Sequence, residues 1–540
     1  MQRKCATWSS AVCCVIAVLL SSAPAQAEIS APGYTIRQLI EPSAFHGVHG
    51  LAFDAADNLY AGSVVGQGIY RVDTRTGAVD IIVSPPEGMA DDLVFLPDGT
   101  MVWTSIEHNA VRARQGDGPI RTLAELASVN SIAYRKSDGR LFVAQVFGGD
   151  GLWEAYLDGK APRNILRDIG GLNGFDIGPD GWIYGPLWFR NQVVKIHPDT
   201  GELKVVADGL RTPAAANFDS RWNLYVLDTA LGTVNRIDIK TGGKSVVARL
   251  ATSLDNLAVD SQDRLFVSNM ADNAIHEVDV ASGTTRQIVK GKLAIPFSVA
   301  AVADGNHDQL YVADVFAYRS IHGESGRVED VQRAHAAGAD IGYPINVAAS
   351  ERHVVLCNYN GSVQLFNRAN GELLREISGL HQVSNAIELN DGTVLVAHSD
   401  KLTRIAKDSD EQETIVEGLQ APLGMALNNA GNVYISEVDG GTISLVDVKQ
   451  GKRKVVASGL SFPQALAMDR DGALLTVELG HRRLVRVDPR NGRSLAIADN
   501  LPVGLLGTGA GRLPIGIAVG RGGAIYVTSD IENSIYKLTR

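Results

Sequence analysis

Between His49 and Ile515 the chain repeats one pattern twelve times. Runs of four to seven residues alternate apolar and polar side chains, and Asp-Gly or Thr-Gly pairs break them at short intervals. Alternation with period two puts one set of side chains on one face of a strand. A pair such as Asp98-Gly99, Asp138-Gly139, Asp180-Gly181, Asp391-Gly392 or Asp471-Gly472 between two such runs supplies the hairpin turn. A third strand follows, as at 69–73 and 234–238, and a fourth after the next turn, as at 203–207. Four short antiparallel strands per period of about forty residues predict a propeller blade.

Twelve blades exceed the roughly four to eight that close one ring. The pattern therefore predicts an all-β chain folded as two tandem six-bladed β-propellers, consistent with 540 residues being too many for one ordinary core. Residues 34–40 read as a fourth strand with no first three before it, and the missing three are sought at 257–279. Strand 285–289 then opens a second ring, and the chain stops at a third strand, 535–538. Each ring is thus expected to close by lending its first strand to its last blade. The resulting division is a signal peptide at 1–27, an N-terminal ring at 28–282 as the candidate active domain, and a C-terminal ring at 283–540 for support or binding. An insertion at 323–343 breaks the rhythm; it is compatible with a short helix and is read as a surface loop or inter-ring contact. The Gly-rich stretch 504–512 is read as a blade connection, because no strand and helix flank it as a phosphate cradle requires.

The amino terminus changes the cellular picture. Met1-Gln2-Arg3-Lys4 is followed by a short apolar run and by Ala25-Gln26-Ala27, the form of a cleavable secretory signal too short for a comfortable membrane span. The expected location is the periplasm or outside the cell, with no membrane attachment after cleavage. Cys5, Cys13 and Cys14 lie in that signal, which leaves Cys357 alone in an apolar run, read as a buried small residue. With 50 Lys and Arg against 60 Asp and Glu, the net charge of −10 argues against nucleic acid as a partner. A small-molecule substrate is expected instead, with the second ring free to hold a protein partner.

Candidate chemistry comes from the residue just before the repeated Gly-like position. Over the first six repeats it is His49, Asp91, Asn130, Asn173, Ala214 and Asp255; over the last six it is Phe297, Ile345, Asn385, Leu423, Gln464 and Ile515. In a propeller the first residue of each innermost strand sits at one mouth of the central channel, so the first set should converge on the axis. Asn and Asp also occur where loops enter strands because they cap local backbone groups. The same station in the second ring is mostly apolar, so the fold itself does not demand Asn or Asp there. Asp91, Asn173 and Asp255 are therefore assigned as ligands of a divalent metal, Ca²⁺ by the preference of hard cations for oxygen. His49 is a poor calcium ligand and points either to a general base or to Zn²⁺ or another transition metal, and Asp255 is placed with it in the catalytic set. On the same rim, Asn130 is read as a ligand or substrate contact, Trp188 as a substrate wall or inter-blade packing, and Arg190 and His108 as substrate contacts or solvated loop residues.

The segment from Leu172 to Gly181, Leu-Asn-Gly-Phe-Asp-Ile-Gly-Pro-Asp-Gly, resembles the signature of the senescence marker protein, gluconolactonase and luciferin-regenerating enzyme family. Repeats such as Pro422-Leu423-Gly424-Met425-Ala426 look like NHL repeats. The resemblance implies a calcium-dependent six-bladed propeller that hydrolyses lactones, with a first-blade Glu, a fourth-blade Asn and a fifth-blade Asp on the metal. The Asn corresponds to Asn173. The Glu is His49 here and the fifth-blade Asp is Ala214, so Asp91 and Asp255 must supply charge from other blades. The leading expectation is an exported, metal-dependent hydrolase of the lactonase type. The alternatives are a metal-dependent lyase resembling virginiamycin B lyase, which uses a histidine base, and a non-catalytic NHL-type binding scaffold.

Overall fold

The computed structural model describes residues 28–337, 341–505 and 513–540. The signal-like segment 1–27 and most of the Gly-rich stretch 504–512 lie outside them. The described chain forms twelve four-stranded antiparallel sheets, as the alternation predicts. Each sheet is a meander whose turns use the expected chemistry. At Asp98-Gly99, for example, Gly99 takes φ +82°, the left-handed region open to glycine, while Asp98 Oδ1 accepts a hydrogen bond from the Thr100 amide at 3.0 Å.

Blades 1 to 6 occupy 51–83, 90–125, 129–167, 176–207, 213–249 and 254–290. The inner strand of blade 6 packs against that of blade 1, which closes the first ring. Blades 7 to 11 occupy 296–333, 344–377, 383–416, 422–457 and 463–498. Blade 12 is built from 517–539 together with Thr35–Gln38, the first strand of the chain. Its inner strand packs against that of blade 7 and closes the second ring.

This closure corrects the expected one. Thr285–Lys290 does not open the second ring; it pairs with Ala274–Val278 and completes blade 6. Thr35–Gln38 pairs with the last strand, Thr35 opposite Thr539 and Gln38 opposite Tyr536. The reason is loop closure: only a short turn separates 274–278 from 285–290, so the local hairpin costs little entropy. That leaves blade 12 as the one sheet without an outer strand of its own. The boundary at 282/283 therefore moves to the crossing at 291–295, and the first ring is nested between the first strand and the remainder of the second.

Blades are stitched side by side at the repeated Gly-like position. A Cβ on Gly50 would come within 2.4 Å of the Asp91 carbonyl oxygen of the next blade, and one on Gly174 within 2.6 Å of Ala215 Cβ. In several blades a polar residue stands there and bonds across the seam. Asn346 donates to the Ser384 carbonyl at 2.8 Å and Asn385 to the Leu423 carbonyl at 3.0 Å. The pairing register places Asn385 opposite Ala397 just as it places Asn346 opposite Cys357. Ser384, and not Asn385, is thus the ninth blade's equivalent of His49.

The described residues of the insertion at 323–343 form no helix. They carry Val328–Arg333, the outer strand of blade 7, and an inter-ring contact. Arg333 donates to Asp272 at 3.0 Å, to the Thr252 carbonyl at 2.9 Å and to Asn269 at 3.0 Å, all in the first ring, and to Asp330 at 2.6 Å. Arg319, paired with Asp314 at 2.6 Å, also donates to the Ala271 carbonyl. Across the chain crossings, Asn273 accepts from the Gly47 amide at 2.9 Å and donates to the Phe45 carbonyl. The two rings meet with their axial mouths facing each other, and a continuous apolar cluster containing Met270, Phe297, Phe316 and Ile345 spans the join. Cys357 is buried in that cluster, and burial pushes its thiol up, as expected of a packing residue.

Candidate functional site

A β-bulge opens the inner strand at each site-bearing blade for which register can be followed, between Ala90 and Leu93, Val129 and Ser131, and Leu254 and Leu257. The bulged residue drops out of the ladder, so its side chain is re-aimed away from the sheet face. This local device delivers Asp91 and Asn130, and the segment leading into the first blade delivers His49, into a cavity of about 190 Å³ at the first ring's mouth. The opposite wall of the same cavity comes from the second ring and includes Phe297, Val315, Phe316 and Ile345.

His49 is held tightly. Its Nδ1 lies 2.9 Å from the Gly47 carbonyl oxygen, which can only accept, so Nδ1 carries the proton. Burial lowers its pKa to about 4, leaving a neutral imidazole with the Nε2 lone pair free. The ring meets Phe316 of the second ring edge-on, with centroids 5.3 Å apart. Gly47 makes this possible: its φ is +76°, and a Cβ there would lie 2.4 Å from Phe316.

Asp91 and Asp255 are the electrostatic anomaly. Neither carboxylate has a hydrogen-bond or ion-pair partner among the described residues. Burial, then the charges of Asp255 and Asp92, push Asp91 up; burial pushes Asp255 up to about 7. Asp92, on the seam position, is also pushed up to about 7 by burial, but it is bonded to the Leu93 and Ile132 amides and to Asn256 at 2.9, 3.2 and 3.1 Å. Asp92 is thus accounted for by inter-blade stitching, whereas Asp91 and Asp255 are not.

Asn130 and Asn173 share one donor. Ser131 Oγ lies 2.9 Å from Asn130 Oδ1 and 3.0 Å from Asn173 Oδ1, and it has a single proton for both. Asn173 Oδ1 also accepts the Gly174 amide at 3.0 Å. Asn130 keeps the freer oxygen and lines the cavity; Asn173 is turned into the seam and does not. The remaining station, Ala214, is covered by Trp188, which packs on it and on Val146. Trp188 also contacts Phe147 at 5.7 Å and His335 of the second ring at 5.1 Å between centroids. It is an inter-ring wedge beside the cavity.

Two rim assignments do not survive. Arg190 donates to the Asp168 carbonyl at 2.9 Å on the outer rim, and His108 is exposed with Nδ1 against Ser105 Oγ at 2.8 Å; neither lines the cavity. Glu107, their neighbour on that rim, does. His46 is taken up by the chain crossing, with Nε2 3.0 Å from the Ile531 carbonyl, and stands apart from any ligand set. The second-ring wall was missed by the sequence reading, although the apolar stations Phe297 and Ile345 were its signal. Among the described residues, no group of three or more His, Cys, Asp and Glu is placed to hold a metal.

The fold and the site together define a two-ring propeller with a cavity between facing mouths. No family model matches the chain. No curated protein matches it. Among solved structures the chain is similar to the extracellular domain of a putative one component system, BT4673, from B. thetaiotaomicron, with 9% identity, a TM-score of 0.32 and coverage of 93% of this chain and 82% of that one. It is also similar to a putative gluconolactonase, with 14% identity, a TM-score of 0.38 and coverage of 48% of this chain and 94% of that one. No helix among the described residues is long and apolar enough to cross a membrane.

Proposed function

We propose that the protein is an exported, metal-dependent hydrolase of the lactonase type, with its reaction centre at His49, Asp91 and Asp255. The observation that carries this reading is a pair of half-buried, mutually repelling carboxylates without a counter-charge, one of which, Asp91, shares a cavity with a neutral, oriented imidazole. Acids withdrawn from water are ordinarily paired, so two unpaired neighbours, one on the cavity wall, fit a hard cation. Asp91 and Asp255 would hold it, with the oxygen of Asn130 and water completing a Ca²⁺ shell. Asn173 acts on Asn130 through Ser131 and replaces the ligand role first assigned to it. Such an ion, once bound, would polarise a carbonyl and acidify a water.

His49 Nε2 takes the proton of the attacking water as its oxygen bonds to the carbonyl carbon. When the ring C–O bond breaks, the proton passes to the leaving alkoxide, and the product is a hydroxy acid. The Gly47 carbonyl keeps Nδ1 protonated and the imidazole in register throughout.

The test is elemental analysis of the purified protein beside Asp91→Asn and Asp255→Asn, followed by a lactone panel. One divalent ion per chain in the wild type, lost in both variants together with at least a hundredfold of lactone turnover, is the expected result. A wild type that carries no stoichiometric ion after supplementation, with no turnover above buffer, overturns the reading. An unsaturated product formed without water uptake would assign the lyase chemistry instead.

A further inference from the structure

Resting on that hydrolase reading, we infer that the second ring forms the specificity wall of the first ring's site, and that the substrate is an amphipathic lactone or ester with an apolar body, not a sugar lactone. The cavity is chemically divided. Its charged and amide groups, His49, Asp91, Glu107 and Asn130, all come from the first ring, while the second ring contributes Phe297, Val315, Phe316 and Ile345, with the hydroxyls of Tyr343, which bonds to His335, and of Tyr359 as its side-chain polar atoms. Phe297, Phe316 and Ile345 are each 2% exposed, so they form a fixed surface with no side-chain polar atom to offer. A sugar lactone presents hydroxyls around its ring, and those turned toward this wall would lose water without gaining a partner. A methylene chain or aromatic ring loses nothing there and gains burial.

The approach to the cavity has the same character. Phe147 lines it while remaining 50% exposed, and it contacts Phe189, itself 58% exposed, at 6.0 Å between centroids. From the second ring Tyr359 stands 65% exposed on the cavity lining. Large exposed aromatics gathered at one opening mark a surface for apolar matter. Both rings are required, because the polar head is read by one and the body by the other.

The experiment uses the full-length mature protein and two near-isosteric variants, Val315→Thr and Ile345→Thr, with folding checked by thermal melts. Lactone hydrolysis is measured over a series of γ-alkyl lactones of rising chain length and an aldonolactone. Binding of the matching γ-alkyl lactams, which resist turnover, is measured by calorimetry. In the wild type, kcat/KM for the lactones and affinity for the lactams should rise roughly fourfold per added methylene until the cavity is filled, with the aldonolactone poorest. Both variants should flatten that slope toward unity. If lactams bind with this slope but no lactone is hydrolysed, the apolar-body inference stands and the hydrolase reading falls. If lactones are hydrolysed with no chain-length dependence, with the aldonolactone preferred, or with a slope the variants leave unchanged, the inference is overturned while the hydrolase reading stands. If neither class reacts or binds, the inference is overturned.

Discussion

At the scale of single residues, the same type of side chain has two fates decided by one position in the strand. Asp92, on the seam, accepts from the Leu93 amide of its own strand, from the Ile132 amide of blade 3 and from Asn256 of blade 6; Asp91, one residue earlier on the bulge, faces the cavity without a partner. Asp255 also sits on a bulge and has no hydrogen-bond or ion-pair partner among the described residues, though it does not line the cavity, and this has a pH consequence. Its pKa is raised from 3.8 to about 7 by burial, so between those values the folded chain keeps a proton that the unfolded chain has released. The stability this group contributes is therefore present at low pH and declines as pH rises toward 7. In chelator-treated protein, Asp255→Asn should raise Tm by about 2–4 °C at pH 8 and by less than half as much at pH 5. Calorimetric melts at the two pH values check this; an equal effect at both would show that the carboxylate is not buried as described. His49 runs oppositely. Its lowered pKa means that the unfolded chain binds the proton more readily between about 4 and 6.5, so its contribution falls on acidification through that window.

At the scale of elements, the blades were legible because alternation and turn chemistry are local. Leu224–Asp228, for instance, lies wholly buried between neighbours and reads as apolar up to its closing Asp228, while Lys244–Arg249 at the blade's outer edge is largely exposed and is polar at both ends. The site stations were legible for the same reason, since each immediately precedes the repeated Gly-like position. Which third strand an outer strand joins was not legible. Thr35–Gln38 and Thr285–Lys290 both read as outer strands, and nothing within either names its partner. Their different fates follow from chain distance, local for one and spanning nearly the whole chain for the other. The nested closure predicts that deleting residues 28–38 unzips blade 12 and exposes its edge. Limited proteolysis should then cut within 296–540 at least tenfold faster, while a fragment covering 51–290 persists. Equal loss of both rings would contradict the pairing of Thr35 with Thr539.

At the scale of the whole molecule, the rings act as two halves of one site. Arg333 reaches from blade 7 into the first ring to Asp272, which lies below the ordinary carboxylate range because Arg333 and Lys290 outweigh its burial. Removing one partner of a buried ion pair costs about 3–5 kcal/mol. Arg333→Ala should therefore loosen the join, with a larger radius of gyration in small-angle scattering and a separate, earlier unfolding step for one ring. A single cooperative transition with unchanged dimensions would show that the crossings at 39–50 and 291–295 hold the rings unaided.

The sequence by itself determined twelve blades, two rings, and the polar character of one set of axial stations against the apolar character of the other, because periodicity, turn residues and residue type are all written locally. Tertiary structure alone decided that the first strand closes the second ring, that the two mouths face each other, and that Phe316 lies against His49. Each of these is a contact between segments hundreds of residues apart, or between surfaces whose individual patterns are complete without it. Such contacts are selected by which surfaces remain uncovered once the local structure has formed, and that is a property of the assembled rings.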